Sequence, residues 1–136
     1  MIRNCCLAGI DDAASPVLRS MLKAAGVVPF PTPAPLDVAE LGRLAPDLLI
    51  CDLDGVDVDP LELLRQLRFV LPDAIVAVYT ETLEASWGRA CHVAGANCLL
   101  LKASDQRLLT HGLIVALESG CYTDPRFAAS NIALPR

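Results

Sequence analysis

No stretch of this chain supplies the roughly 18 consecutive apolar residues of a membrane-spanning helix, although 54% of its 136 residues are hydrophobic. The N-terminus, MIRNCCLAGIDD, has an early Arg but no apolar core of roughly 7–15 residues before a small-residue cleavage site. A signal peptide is thereby excluded, and a soluble, cytoplasmic protein with no membrane partner is expected. Lys and Arg form no cluster, and the net charge is −5. Direct nucleic-acid binding needs a basic stripe to displace phosphate counterions, so it is not expected of this chain. The six cysteines include no C-x-x-C pair and no Cys/His pair at zinc spacing. Cys91 and His92 are neighbours, and on a helix neighbours point about 100° apart, too far to chelate one ion easily. Reduced thiols in apolar segments act as small hydrophobes; redox sensing is the alternative.

What is present is one domain's length of alternating apolar runs and amphipathic stretches. Asn4 to Ile10 reads as a first strand. Ser15-Pro16 reads as a helix start with Ser15 as N-cap, and Gly26 as its stop. Val27 to Phe30 is a short second strand cut off by PFPTPAP, a stiff proline loop. Leu36 to Leu44 is a short helix, with acids near the end where the helix dipole favours them. Leu48 to Cys51 is a continuous apolar run, as a strand buried on both faces requires. A third helix follows from Leu61 to about Val70, then a strand over Ala74 to Tyr79 and a helix over Leu83 to Ala94. Cys98 to Leu101 is a fifth strand, and Ser104 caps a last helix running to about Ser119. The tail after Cys121 looks loosely structured. Five strand–helix repeats predict an α/β fold: a flavodoxin-like (βα)5 doubly wound parallel sheet of strand order 2-1-3-4-5.

In such a sheet the carboxyl ends of the strands line the ligand crevice. Asp11 and Asp12 follow the first strand, Asp52 the third, Thr80 the fourth and Lys102 the fifth. Two carboxylates about 4 Å apart repel by about 4 kcal/mol at an effective dielectric near 20. Three together need a cation or displaced pKa values, and an all-oxygen set in a wet crevice suits Mg²⁺. A carboxylate flanked by a divalent cation, an ammonium and a hydroxyl is arranged as a nucleophile toward phosphorus. Polar residues at strand ends are also common in loops, so the force lies in the five occurring together.

These segments resemble those of the response-regulator receiver domains, the CheY-like family. PDLLICDLDGVDVDPLELLRQLR looks like the acceptor strand and following helix, and GIDD like the acidic-pair segment. VYTE is similar to the Ser/Thr segment and GANCLLLKAS to the lysine segment; the likeness covers essentially Ile2 to Phe127. The resemblance implies Asp52 as phosphoacceptor, with Thr80 hydrogen-bonding the phosphoryl oxygen and Lys102 pairing with the acceptor. It implies Mg²⁺ held by Asp12 and Asp52 with the Asp54 backbone carbonyl, and by Asp11 mostly through water. The phosphoryl donor would be a histidine kinase or phosphotransfer protein. The chain would be a switch that assists its own phosphorylation and dephosphorylation rather than a turnover enzyme.

LESGCYTDPRFAAS resembles the receiver end of NarL/LuxR-type regulators, which continue into a helix-turn-helix domain. Residues 1–127 then form the receiver and 128–136 a tail or the start of an interdomain linker, in a single-domain protein or a fragment of a longer transcription regulator. A homodimer through the fourth helix, fifth strand and fifth helix is a further expectation. Several residues depart from the family pattern. Glu81 stands where a small residue is usual, Asp54 and Asp57 add negative charge beside the acceptor in the loop where Met-Pro is frequent, and Pro60 stands where Gly is common. Ala103 replaces a proline, and Leu99 replaces an aromatic switch residue. Glu81 and Leu99 motivate an alternative, a phosphorylation-independent dimerisation or interaction module. A small phosphatase using Asp52 and Asp54, as in haloacid-dehalogenase-like enzymes, is a third reading that the chain's length disfavours. Trp87, the only tryptophan, is either a packing residue or an interface anchor. His92 and His111 fall on helices away from the rim.

Overall fold

The computed structural model describes residues 4–30, 34–82 and 84–127. Five strands, β1 (Cys5–Ala8), β2 (Leu48–Cys51), β3 (Ile75–Thr80), β4 (Cys98–Leu101) and β5 (Tyr122–Thr123), form one sheet in the order β1-β2-β3-β4-β5. Every pairing is parallel. The connecting helices are α1 (Ser15–Ala24), α2 (Val38–Leu44), α3 (Pro60–Val70), α4 (Ala85–Ala94) and α5 (Gln106–Ser119).

Strand residues alternate between two cores. Cys6, Ala8, Leu49, Cys51, Val76, Val78, Leu99 and Leu101 pack with Leu41, Leu64, Leu67 and Cys91 from α2, α3 and α4. Cys5, Leu7, Leu48, Ile50, Ala77, Tyr79, Cys98 and Leu100 pack with Leu18, Met21, Leu22, Leu109 and Leu113 from α1 and α5. Helices on both faces explain why these strands read as unbroken apolar runs rather than as alternating ones. Among the described residues no helix is long and apolar enough to cross a membrane.

The predicted order holds, with one weak edge. The Val27 to Phe30 segment lies outside β1, as order 2-1-3-4-5 requires, but among the described residues it makes an isolated parallel bridge, Cys5 to Pro29, and Ala34 beyond the proline loop makes another, with Ala8. Phe30 N donates to Cys5 O at 2.9 Å and Ala34 N to Leu7 O at 2.8 Å. Pro29 and Pro35 flank these donors and have no N–H to offer a further strand.

Three local expectations are corrected. Ser15 is not the cap of α1; Ala14 is, with no side-chain cap, and the Ala14 N–H goes to Asp11 Oδ1 at 2.8 Å. Asp105, not Ser104, caps α5 by accepting from Leu108 N. The tail is not loose through Phe127: β5 extends the sheet, and Asp124 and Phe127 are buried. Ser104 is diverted there, donating to Asp124 Oδ2 at 2.7 Å. Leu83, the expected start of the fourth helix, residues 31–33 of the proline loop, and the tail at 128–136 lie outside the described residues.

Five of the cysteines are buried and only Cys121 is exposed; none forms a disulfide. Burial pushes the thiols of Cys5, Cys51, Cys91 and Cys98 up to about 12. A thiol-reactive dye at neutral pH is therefore expected to label Cys121 alone in the folded protein, and all six after unfolding. Rapid labelling of a second thiol in the native state would contradict the packing.

Candidate functional site

The rim forms where parallel strands end in step. Ala8 pairs with Cys51 and Thr80 with Leu101, so Asp52 leaves β2 beside the exit of β1, and Lys102 leaves β4 beside Thr80. Asp52 N donates to Ala8 O, and Lys102 N to Thr80 O at 2.9 Å. Gly9 turns the chain away at φ +68°, and a Cβ there would stand 3.3 Å from the Asp52 carbonyl oxygen. Glycine thus meets both a left-handed backbone and a close approach at the acceptor strand.

Lys102 Nζ lies 2.7 Å from Asp52 Oδ2 and 2.9 Å from Asp54 Oδ2. It also stands 5.8 Å from the centre of the Tyr79 ring. Burial works against the charge on Lys102, but Asp52 and Asp54 outweigh it and raise its pKa. Asp52 Oδ1 accepts from the Asp54 N–H at 2.9 Å.

The Asp54 side chain is a central member: the receiver resemblance assigned this residue only its backbone carbonyl, and its carboxylate had a role only in the phosphatase reading. Its Oδ1 accepts from the Thr80 hydroxyl at 2.8 Å, and its Oδ2 from the Glu81 N–H at 2.9 Å. Burial opposes its charge, yet the Glu81 N–H, Lys102 and Thr80 hold the carboxyl below its usual range. The available signal was its position two residues beyond Asp52, in the loop that leaves β2. The Thr80 oxygen in turn accepts from Thr82 N at 3.1 Å.

Asp52, Thr80 and Lys102 are thus brought together, joined by Asp54. Asp11 and Asp12 stand exposed after β1, and Asp11 Oδ1 is engaged by Ala14 N. Among the described residues no three His, Cys, Asp or Glu side chains are grouped so as to hold a metal ion. A hard divalent cation does not require three, because Mg²⁺ is commonly held by one or two carboxylates and several waters. The donors at this rim, Asp12, Asp52 and backbone carbonyls, are all oxygen and fit that chemistry.

Away from the rim, Leu99 is fully buried beside α4, where a Cβ on Gly88 would meet its Cδ1 at 3.2 Å and the Phe127 ring at 3.0 Å. Trp87 packs against the same core, and its indole N–H is buried without a partner. His92 joins α4 to β5: Nδ1 meets Ala96 O at 2.8 Å and Nε2 meets the Thr123 hydroxyl at 2.7 Å.

This sheet with its acidic rim is the CheY-like receiver fold, the fold of response regulators. The isolated REC domain of RcsB from Salmonella enterica serovar Typhimurium, solved with the phosphomimetic BeF3−, aligns with a TM-score of 0.77 at 19% identity, covering 96% of this chain and 99% of that one. RcsB in dimers bound to DNA aligns at 0.79 and 19% identity, covering all of this chain but 71% of that one. A response regulator from Thermotoga maritima aligns at 0.73 and 18% identity, over 88% of this chain and 100% of that one. No protein-family profile matches the sequence, and no curated protein matches it.

Proposed function

We propose that this domain is a phosphoacceptor switch in which Asp52 takes a phosphoryl group from a histidine kinase or phosphotransfer protein. The observation that carries the reading is the contact of Lys102 Nζ with Asp52 Oδ2 at 2.7 Å, beside the Thr80 hydroxyl on the next strand. In the reaction an Asp52 carboxylate oxygen forms a bond to phosphorus in line with the departing P–N bond. The donor imidazole leaves with the bonding electron pair and takes a proton from water, and the product is an aspartyl phosphate. Lys102 neutralises charge on the acceptor, and the Thr80 hydroxyl is a donor for a phosphoryl oxygen. Asp12 and Asp52 with the Asp54 carbonyl, and Asp11 through water, would hold Mg²⁺, which when bound supplies positive charge toward the phosphoryl oxygens. The chain acts once per phosphoryl group and is not a turnover enzyme.

Output would run through the face of α4, β4 and α5, by dimerisation or by contact with a DNA-binding domain outside this chain, to regulate transcription. With leucine at position 99 the coupling cannot use a rotating ring; it would have to pass through the packing of Leu99, Gly88 and Phe127. Incubation with Mg²⁺ and a small acyl phosphate is expected to add one phosphoryl group by intact-protein mass, and none to Asp52→Asn. No addition to the wild type would sink the proposal. The alternative, an interaction module working without phosphate, draws support from Asp54, which already engages the Thr80 donor. It calls for an association state that the phosphodonor leaves unchanged.

A further inference from the structure

Of the cavities, clusters and patches on this molecule, the Asp54 carboxylate is the feature whose contacts are most specific. Its two oxygens take three donors from three different places: the Thr80 hydroxyl at the end of β3, the Glu81 backbone N–H, and the Lys102 ammonium after β4. An ordinary loop aspartate at a strand exit faces water or caps its own turn, as Asp11 does here. Asp54 instead reaches across the sheet rim and lies beside Asp52, sharing the same ammonium. A hydroxyl, an amide and an ammonium converging at 2.8 to 2.9 Å form an anion-binding set. Two of them, the Thr80 hydroxyl and the Lys102 ammonium, are the groups assigned above to a phosphoryl group on Asp52.

We infer that the Asp54 carboxylate is a built-in occupant of the oxyanion position over Asp52, so that an oxyanion binds there only by displacing it. This rests on the phosphoacceptor reading for its external ligand but not for the internal contact. It has two consequences. In the free domain Thr80 and the Glu81 amide are already drawn to the rim by an internal negative group, so this part of the site is engaged without phosphate. The affinity of an incoming oxyanion is lowered by the fraction of molecules in which Asp54 has swung away. Release is sterically open, because Asp54 and Glu81 border a cavity of about 540 Å³ floored by Leu53, Gly55, Pro60 and Trp87.

The test has two arms on the full chain. In the first, the Glu81 amide is followed by ¹H–¹⁵N NMR without Mg²⁺ or phosphate analogue. Asp54→Ala is expected to move it to the shift and exchange rate of a solvent-exposed amide, whereas Asp52→Asn leaves it hydrogen-bonded. An unchanged Glu81 amide in Asp54→Ala overturns the inference. In the second arm, beryllofluoride is titrated with Mg²⁺, with Trp87 fluorescence and ¹⁹F NMR as readouts. Asp54→Ala is expected to bind at least about tenfold more tightly than the wild type. Asp54→Asn, which keeps the shape without the charge, is expected to fall between them, and it serves in place of Asp54→Ala should that variant not fold. Equal or weaker binding by both variants overturns the inference and leaves the phosphoacceptor reading standing. Should none of the proteins bind beryllofluoride while the Glu81 amide responds to Asp54→Ala, the phosphoacceptor reading falls and the internal occupancy is upheld.

Discussion

Replacing Arg68 with Ala is expected to lower unfolding free energy by about 3 kcal/mol, a large share of a small domain's stability. Arg68 sits near the end of α3, and its guanidinium gathers the loops at the amino ends of the strands. Nε and Nη2 donate to Gly95 O at 3.1 and 2.8 Å. Nη1 donates to Leu71 O at 2.9 Å, Pro72 O at 3.2 Å and Ala74 O at 2.8 Å, and Nη2 also reaches Asn97 Oδ1. Asn97 Oδ1 in turn accepts from Val76 N at 2.8 Å, and Asn97 Nδ2 donates to Gly120 O, so one cation ties the α3–β3 turn to the α4–β4 turn and to the end of α5. Hydrogen bonds from a charged donor contribute about 1.5–3 kcal/mol each, but these share one guanidinium and the exposed Pro72 regains water, so the sum is discounted to about 3. Arg68→Lys should recover little, because an ammonium lacks the planar fork. Urea unfolding followed by circular dichroism measures the loss. The folded fraction should keep its reactivity at Asp52, which lies at the opposite ends of the strands. A change below about 0.5 kcal/mol would mean that the guanidinium network is dispensable.

The second large effect is expected from Lys102→Ala, at two levels. On the proposed chemistry, loss of a preplaced cation slows phosphoryl incorporation by about a hundredfold or more under fixed Mg²⁺ and donor. On stability, the ammonium holds Asp52 and Asp54 at 2.7 and 2.9 Å. Without it two carboxylates that shared one ammonium are left uncompensated, a repulsion of about 1–2 kcal/mol once solvent screening is allowed for. The pH dependence, measured without metal, has a definite sign. The pKa of Lys102 is raised in the folded protein, so its contribution is complete below the unfolded lysine value and is lost as pH rises through the folded one. The pKa of Asp54 is lowered, so its contribution is present above the ordinary carboxylate value and is lost as pH falls through the depressed one. The wild-type advantage over Lys102→Ala should therefore be greatest between these limits and shrink toward both. An advantage that persists unchanged into strong acid would exclude this electrostatic origin.

Composition and periodicity determined the larger part of the architecture. Apolar runs of four to six residues, each closed by a polar residue and followed by a helical stretch, require a parallel sheet covered on both faces. Such a sheet delivers Asp52, Thr80 and Lys102 to one edge, because strand exits are fixed by the chain's own order. Sequence spacing could say where those residues leave the sheet. It could not say which way a short side chain turns once out of it.

Only the tertiary structure decided that Asp54 turns inward to the donors of Thr80, Glu81 and Lys102, which belong to segments 26 or more positions away. The same holds for Arg68, a helix residue with no local sign that it ties its own following turn to the distant α4–β4 turn, and for Ser104, drawn from its expected cap by the buried Asp124. The edge beyond β1 shows the converse limit. Its location followed from the order of elements, but prolines removed the donors needed for a regular strand. Local pattern carries element type and order because burial repeats with the backbone's own period. Polar contacts between elements depend on which groups meet across the finished fold, and that information exists only after folding.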